Sequence, residues 1–178
     1  MSSRITYYGR FSRLLHWGMA ALFAVQFITA ITRFAFPDTA LEEAVWGAHK
    51  PLGALLMALI VLRLVWAVVD RARRPASVNL AARLGHLALY VLMAVVPLVA
   101  LLRQYGSGRA FAPFGIPLMP GFEGEIEWMT AIGSIFHGLL GWVLLALIVG
   151  HVGMAILHRR MAGEDVLVRM LPRHGAGR

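Results

Sequence analysis

The chain has 178 residues, 59% of them hydrophobic and 15% charged, with a mean hydropathy of +0.70, and no soluble core of this size could hide so much apolar surface. Cysteine is absent, which excludes disulfides and thiolate ligation. The formal charge of +8 does not mark a nucleic-acid partner, because the basic residues cluster beside apolar runs, where they set topology and meet lipid headgroups.

A helix needs about 20 apolar residues to cross a hydrocarbon layer about 30 Å thick, and four stretches qualify. The first, about 14–34, follows Arg4, Arg10 and Arg13 and carries His16 at its start. Its basic flank is that of a signal peptide, but the run exceeds a usual h-region and is read as a retained helix. Pro37 and the acidic stretch after it end this span. The second, about 50–69, opens at His49-Lys50-Pro51, with proline tolerated in a first helical turn. It contains Arg63 and closes at Asp70 and Arg73-Arg74-Pro75. The third, about 84–102, contains Pro97, where a kink is expected. A loop from Arg103 to about Gly133, rich in Gly and Pro and carrying Phe111, Phe114, Phe122 and Trp128, is expected to fold over the outer mouth as an interfacial lid. The fourth span, about 134–157, holds His137 and His151. No internal repeat is visible. The expected fold is all-α, an integral membrane four-helix bundle forming a single domain over 1–178.

Charge sets the orientation. Residues 1–13 hold three Arg, 70–83 hold Arg71, Arg73, Arg74 and Arg83, and 158–178 hold Arg159, Arg160, Arg169, Arg173 and Arg178. The alternate loops differ: 35–48 has no basic residue and carries Asp38, Glu42 and Glu43, while Arg103 and Arg109 share 103–133 with Glu123, Glu125 and Glu127. The positive-inside rule then makes both termini cytoplasmic.

His137 and His151 stand fourteen residues apart in one apolar run. Fourteen helical residues rise about 21 Å and turn to within about 40° of four whole turns, so both imidazoles leave one face at different depths. Imidazole in hydrocarbon is costly unless something binds it, and an iron porphyrin is the commonest apolar, His-seeking ligand that fits between helices. His49 opens the second span and His137 the fourth, both near the outer leaflet, whereas His16 and His151 approach the inner leaflet. Two His–iron–His bridges follow: His49 with His137, and His151 with an inner partner. His86 lies three residues after Arg83 as His16 lies three after Arg13, so spacing leaves both as partners for His151. With no cysteine, each haem b (iron protoporphyrin IX) is held non-covalently, and two axial imidazoles leave no open position, so outer-sphere electron transfer is the expected chemistry.

Arg63 lies fourteen residues beyond His49, on the same helical face at inner depth, where a haem propionate or quinone carbonyl would stabilise its charge. Arg33, Lys50, Arg103 and Arg109 form an outer basic set. His158 adjoins Arg159 and Arg160 at the surface, and His174 lies in a polar tail; neither is an expected iron ligand. The nine methionines offer no depth-matched alternative ligand and are read as packing residues.

The order of Leu14-Leu15-His16-Trp17, Ala48-His49 with Arg63 downstream, Leu84-Gly85-His86-Leu87 with Tyr90, Phe114-Gly115, Met119-Pro120, Phe136-His137, Gly150-His151 and the tail Asp165 to Pro172 resembles the bacterial cytochrome b561 family, above all its small four-helix dihaem superoxide oxidases. The resemblance implies His16 with His151 and His49 with His137 as axial ligands, and leaves His86 to contact a ligand histidine or a haem propionate rather than the iron. It further implies a protein of the bacterial inner membrane that passes electrons from periplasmic superoxide to ubiquinone. A basic outer mouth of Arg33, Lys50, Arg103 and Arg109 would draw the superoxide anion, opposed by Glu123, Glu125 and Glu127. Arg13, Arg63, His86 and His158 are the candidate quinone or propionate contacts. The alternative is an electron-transfer cytochrome b subunit that links a periplasmic redox protein or dehydrogenase to quinone, with the acidic loops as docking face. Such subunits are usually longer by one span, which favours a self-contained cytochrome. A non-redox transporter or structural four-helix membrane protein whose polar residues line a cavity is the rival from another class, and no pair of discontinuous helices supports transport.

Overall fold

A computed structural model describes residues 7–75, 78–161 and 166–171. Arg4, Asp165, Pro172, Arg173, His174 and Arg178 of the sequence reading lie outside them. The helices are α1 (Arg10–Ala35), α2 (Ala40–Trp46), α3 (His49–Val69), α4 (Leu80–Gly106) and α5 (Glu127–Met161), and no strand occurs among the described residues. Among the described residues four helical segments are long and apolar enough to cross a membrane, and only 6–17% of their apolar windows is buried, so the remaining apolar surface suits lipid rather than a core.

The helices extend beyond the expected spans because hydropathy marks only the lipid-crossing turns, while polar residues continue the helix into the headgroup layer. The largest difference is α5, which starts at Glu127 instead of about 134 and shortens the expected loop to 107–126. The extra turns are held against α4: a β-carbon at Gly106 or Gly133 would collide with Met129 or Arg103. Pro97 lies inside α4 without ending it. Asn79 caps α4 by accepting from Ala82 N at 2.8 Å.

The stretch 35–48, expected as a loop, contains α2. Thr39 caps it by accepting from Glu42 N at 3.3 Å, and Glu42 and Glu43 sit in the first turn, where the helix dipole favours them. The loop after α4 is pinned by an antiparallel bridge between Phe111 and Met119 and by Phe122 N donating to Gly108 O at 2.8 Å. Gly108, at φ 67°, has no room for a side chain beside the carbonyls of Phe122 and Gly124. Phe111 is buried and the turn Pro113–Gly115 packs on α3, so the loop folds back over the bundle end as expected.

α5 packs closely along α4, α1 along α3, and α3 along α4. The backbone of α5 makes no more than glancing contact with α1 or α3, and the histidines face each other across those wider gaps. At the end of the bundle expected to be inner from its basic flanks, and called inner below, Ser12 donates to buried Asp70 and accepts from Trp66 Nε1 at 2.9 Å, tying α1 to α3. Tyr8 N, Arg13 and Trp17 donate to the carbonyls of Arg169, Leu171 and Met170, so residues 166–171 lie strapped along the start of α1.

Candidate functional site

The first turn of α3 presents His49, and the outer half of α5 presents His137, with ring centroids 6.1 Å apart and planes at 86°. A metal ion bonded to one nitrogen of each ring at about 2.0–2.1 Å, with each nitrogen roughly 1.1 Å from its ring centre, would set the centroids about 6.2–6.4 Å apart. The hydrogen bonds leave the correct nitrogen free. Thr29 Oγ1 gives its one proton to Gln26 O at 2.7 Å, so at its 2.7 Å contact with His49 Nδ1 it must accept, which places the imidazole proton on Nδ1 and leaves the Nε2 lone pair unused. His137 Nδ1 lies 3.1 Å from Val96 O, an acceptor only, so it too carries the proton. A backbone carbonyl or fixed oxygen behind each ring is how metal-binding histidines are oriented.

Between these rings opens a cavity of about 810 Å³, within the roughly 300–1,000 Å³ range of ligand and cofactor pockets. Gly138 and Gly141 line it from the face of α5 that carries His137, and a β-carbon at either would meet nothing within 4 Å. Glycines there clear a flat space beside the ring.

At inner depth α1 presents His16 and α5 presents His151, with centroids 6.3 Å apart and planes at 76°. His86 on α4 stands 5.3 Å from His151, too close for an ion to bridge them in the same way, and it is exposed. Arg63 is half-buried, donates from Nε to Tyr90 Oη at 3.2 Å, and lies within electrostatic range of His16, His86 and His151.

The remaining sequence candidates divide by location. Arg33, Lys50, Arg103 and Arg109 all border the outer cavity, as do Glu125 and Glu127. Arg33 is ion-paired with Glu42, which is only 5% exposed, whereas Lys50 donates to neutral Gln104 at 3.0 Å and has no ion pair among the described residues. Arg13 donates to Leu171 O at 2.9 Å. His158 turns Nδ1 to Met154 O of its own helix, 2.8 Å away, and joins neither ring pair.

Four contributors escaped the sequence reading: Thr29, Gln26, Trp46 and the Val96 carbonyl. A hydroxyl or amide inside an apolar span carries no periodic signal, and a carbonyl carries no residue signal at all. Trp46 left a faint one, an indole three residues before a histidine.

Opposed imidazoles between membrane-length helices are the arrangement that a transmembrane b-type cytochrome needs to hold haem. A family profile described as prokaryotic cytochrome b561 matches residues 7–173, and the chain belongs to that family. It is 29% identical over 171 residues to cytochrome b561 homolog 2 of Escherichia coli K12, covering 92% of this chain and 90% of that one. Cytochrome b561 homolog 1 of the same organism is 24% identical, covering 92% and 98%. A Yersinia pestis protein named probable superoxide oxidase CybB is 25% identical over 120 residues, covering 67% and 68%.

Proposed function

We propose that the chain is a dihaem cytochrome of the bacterial inner membrane that oxidises superoxide outside and reduces ubiquinone inside. The observation that carries this reading is the pair of iron-bridging separations, 6.1 Å and 6.3 Å, with the outer rings oriented Nε2-inward by Thr29 and Val96. His49 with His137 would hold the outer haem b, and His16 with His151 the inner. Bound in these positions, haem supplies one-electron redox chemistry with no open coordination site. The helix rise of about 21 Å between His137 and His151 spans most of the hydrocarbon layer, and the basic flanks put the His16 end on the cytoplasmic side.

The residues then divide the work. Lys50, Arg103 and Arg109 raise the local concentration of a small anion at the outer mouth. The ion pair with Glu42 removes most of Arg33 from that task. Arg63, Tyr90 and His86 offer donors beside the inner pair, where a quinone carbonyl or a propionate would be held. Two superoxide anions lose one electron each and leave as dioxygen, while one quinone gains two electrons and two protons from the inner side. The relative named probable superoxide oxidase supports this donor over a docking protein, and so does Glu42, which is buried in an ion pair instead of lying open on an acidic docking face.

Superoxide consumption by the purified protein with ubiquinone tests the reading: quinone-dependent loss above a haem-free control is expected, and none would end it. Lys50→Glu is expected to slow that reaction by roughly tenfold at low ionic strength, the lower end of electrostatic steering. Near 1 M salt, where the Debye length is about 3 Å, the two proteins should converge, and equal rates at low salt would remove Lys50 from the steering set.

A further inference from the structure

We propose that Trp46 is the inlet through which an electron from an outside donor reaches the outer haem, by way of His49. This rests on the dihaem reading above, because an iron with two axial imidazoles admits electrons only through a ligand or the porphyrin edge. The indole of Trp46 lies stacked on His49, with centroids 4.6 Å apart and planes at 23°. Such contact couples two π systems with no gap for solvent between them. Trp46 also borders the outer cavity and is half-exposed, so one residue touches both the mouth and the proposed ligand.

The short helix α2 is built to hold this ring. Thr39 caps it, Thr39 Oγ1 also donates to Phe36 O, and Glu42 pairs with Arg33 of α1. The Arg33 guanidinium carbon then stands 4.6 Å from the Trp46 ring centre, a cation–π contact that fixes the indole from a second side chain. A cation at the ring also makes removal of an electron from the indole harder. Trp46 is therefore a conducting bridge and not a stopping point. The step would transfer one electron and nothing else: superoxide would lose it and leave as dioxygen, the ferric haem that His49 and His137 would hold would gain it, and no bond or proton would move.

The test uses the full-length haem-loaded chain and its Trp46→Leu variant. Haem content, the midpoint potential of each haem and reduction from the inner side by ubiquinol are expected to stay as in the parent. Outer-haem reduction by superoxide, and by dithionite as a second outside donor, is expected to slow by about tenfold. Trp46→Phe should recover most of the rate, since it restores an aromatic face. Should Trp46→Leu lose haem, Trp46→Met, which fills volume without a ring, gives the same comparison. Reduction from outside at the parent rate, with both haems present, overturns the inlet and leaves the dihaem reading standing. A parent protein whose spectrum is unchanged by His49→Ala sinks the dihaem reading itself.

Discussion

His49→Ala is expected to lower haem content from two per chain to one, and His137→Ala to lose the same haem. His16→Ala and His151→Ala should each lose the other. The expectation follows from two ring pairs at different depths, joined only through α5, so that removing one ring empties one bridge. His86→Ala discriminates sharply, because its 5.3 Å approach to His151 is too short for an iron between them. Both haems should survive that change, with any effect confined to the inner haem's potential or to quinone kinetics. Pyridine haemochrome quantitation with reduced-minus-oxidised spectra checks all five variants. Loss of a haem in His86→Ala, with both retained in His16→Ala, would reverse the assignment of the inner pair.

Thr29→Val should weaken the outer haem alone. The hydroxyl of Thr29 is the acceptor that keeps the His49 proton on Nδ1 and aims Nε2 into the cavity. Valine matches its shape but cannot accept, and Thr29 is 2% exposed, so water is poorly placed to substitute. Removing an oriented partner of a metal-binding histidine typically costs about 10–100-fold in affinity, and that range is expected here. Haem titration of the variant measures it, with the inner haem as internal control. Thr29→Ser, which retains the oxygen, should bind nearly as the parent does. Equal outer-haem affinity in Thr29→Val would show that the hydrogen bond does not orient the ring.

Much of this architecture was legible in the sequence because lipid leaves so few alternatives. Backbone groups in hydrocarbon must be satisfied within a helix, so apolar length alone located four spans. Imidazole at membrane depth demands a partner, so the fourteen-residue interval from His137 to His151 pointed to two levels on α5. What was not legible depended on relations between helices. His16 and His86 have the same offset from a flanking arginine, so spacing left both as partners for His151; the family resemblance pointed to His16, and the inter-ring distances, 6.3 Å against 5.3 Å, favour it too. The charge of Arg33 looked available until Glu42, nine residues on, folded back against it through α2. That helix is seven residues long, too short for hydrophobic periodicity to reveal, and it carries the Trp46 contact with His49. α5 begins before the apolar run that marked the fourth span, at Glu127, where Gly133 and Gly106 let it pack tightly on α4.

The most direct measurement is haem quantitation on the purified chain together with the low-temperature electron paramagnetic resonance spectrum of its ferric form. The near-perpendicular rings of both pairs, 86° and 76°, predict two haems per chain, each giving a strongly anisotropic low-spin signal. A colourless protein, a single haem per chain, or a high-spin signal from a five-coordinate iron would contradict the account.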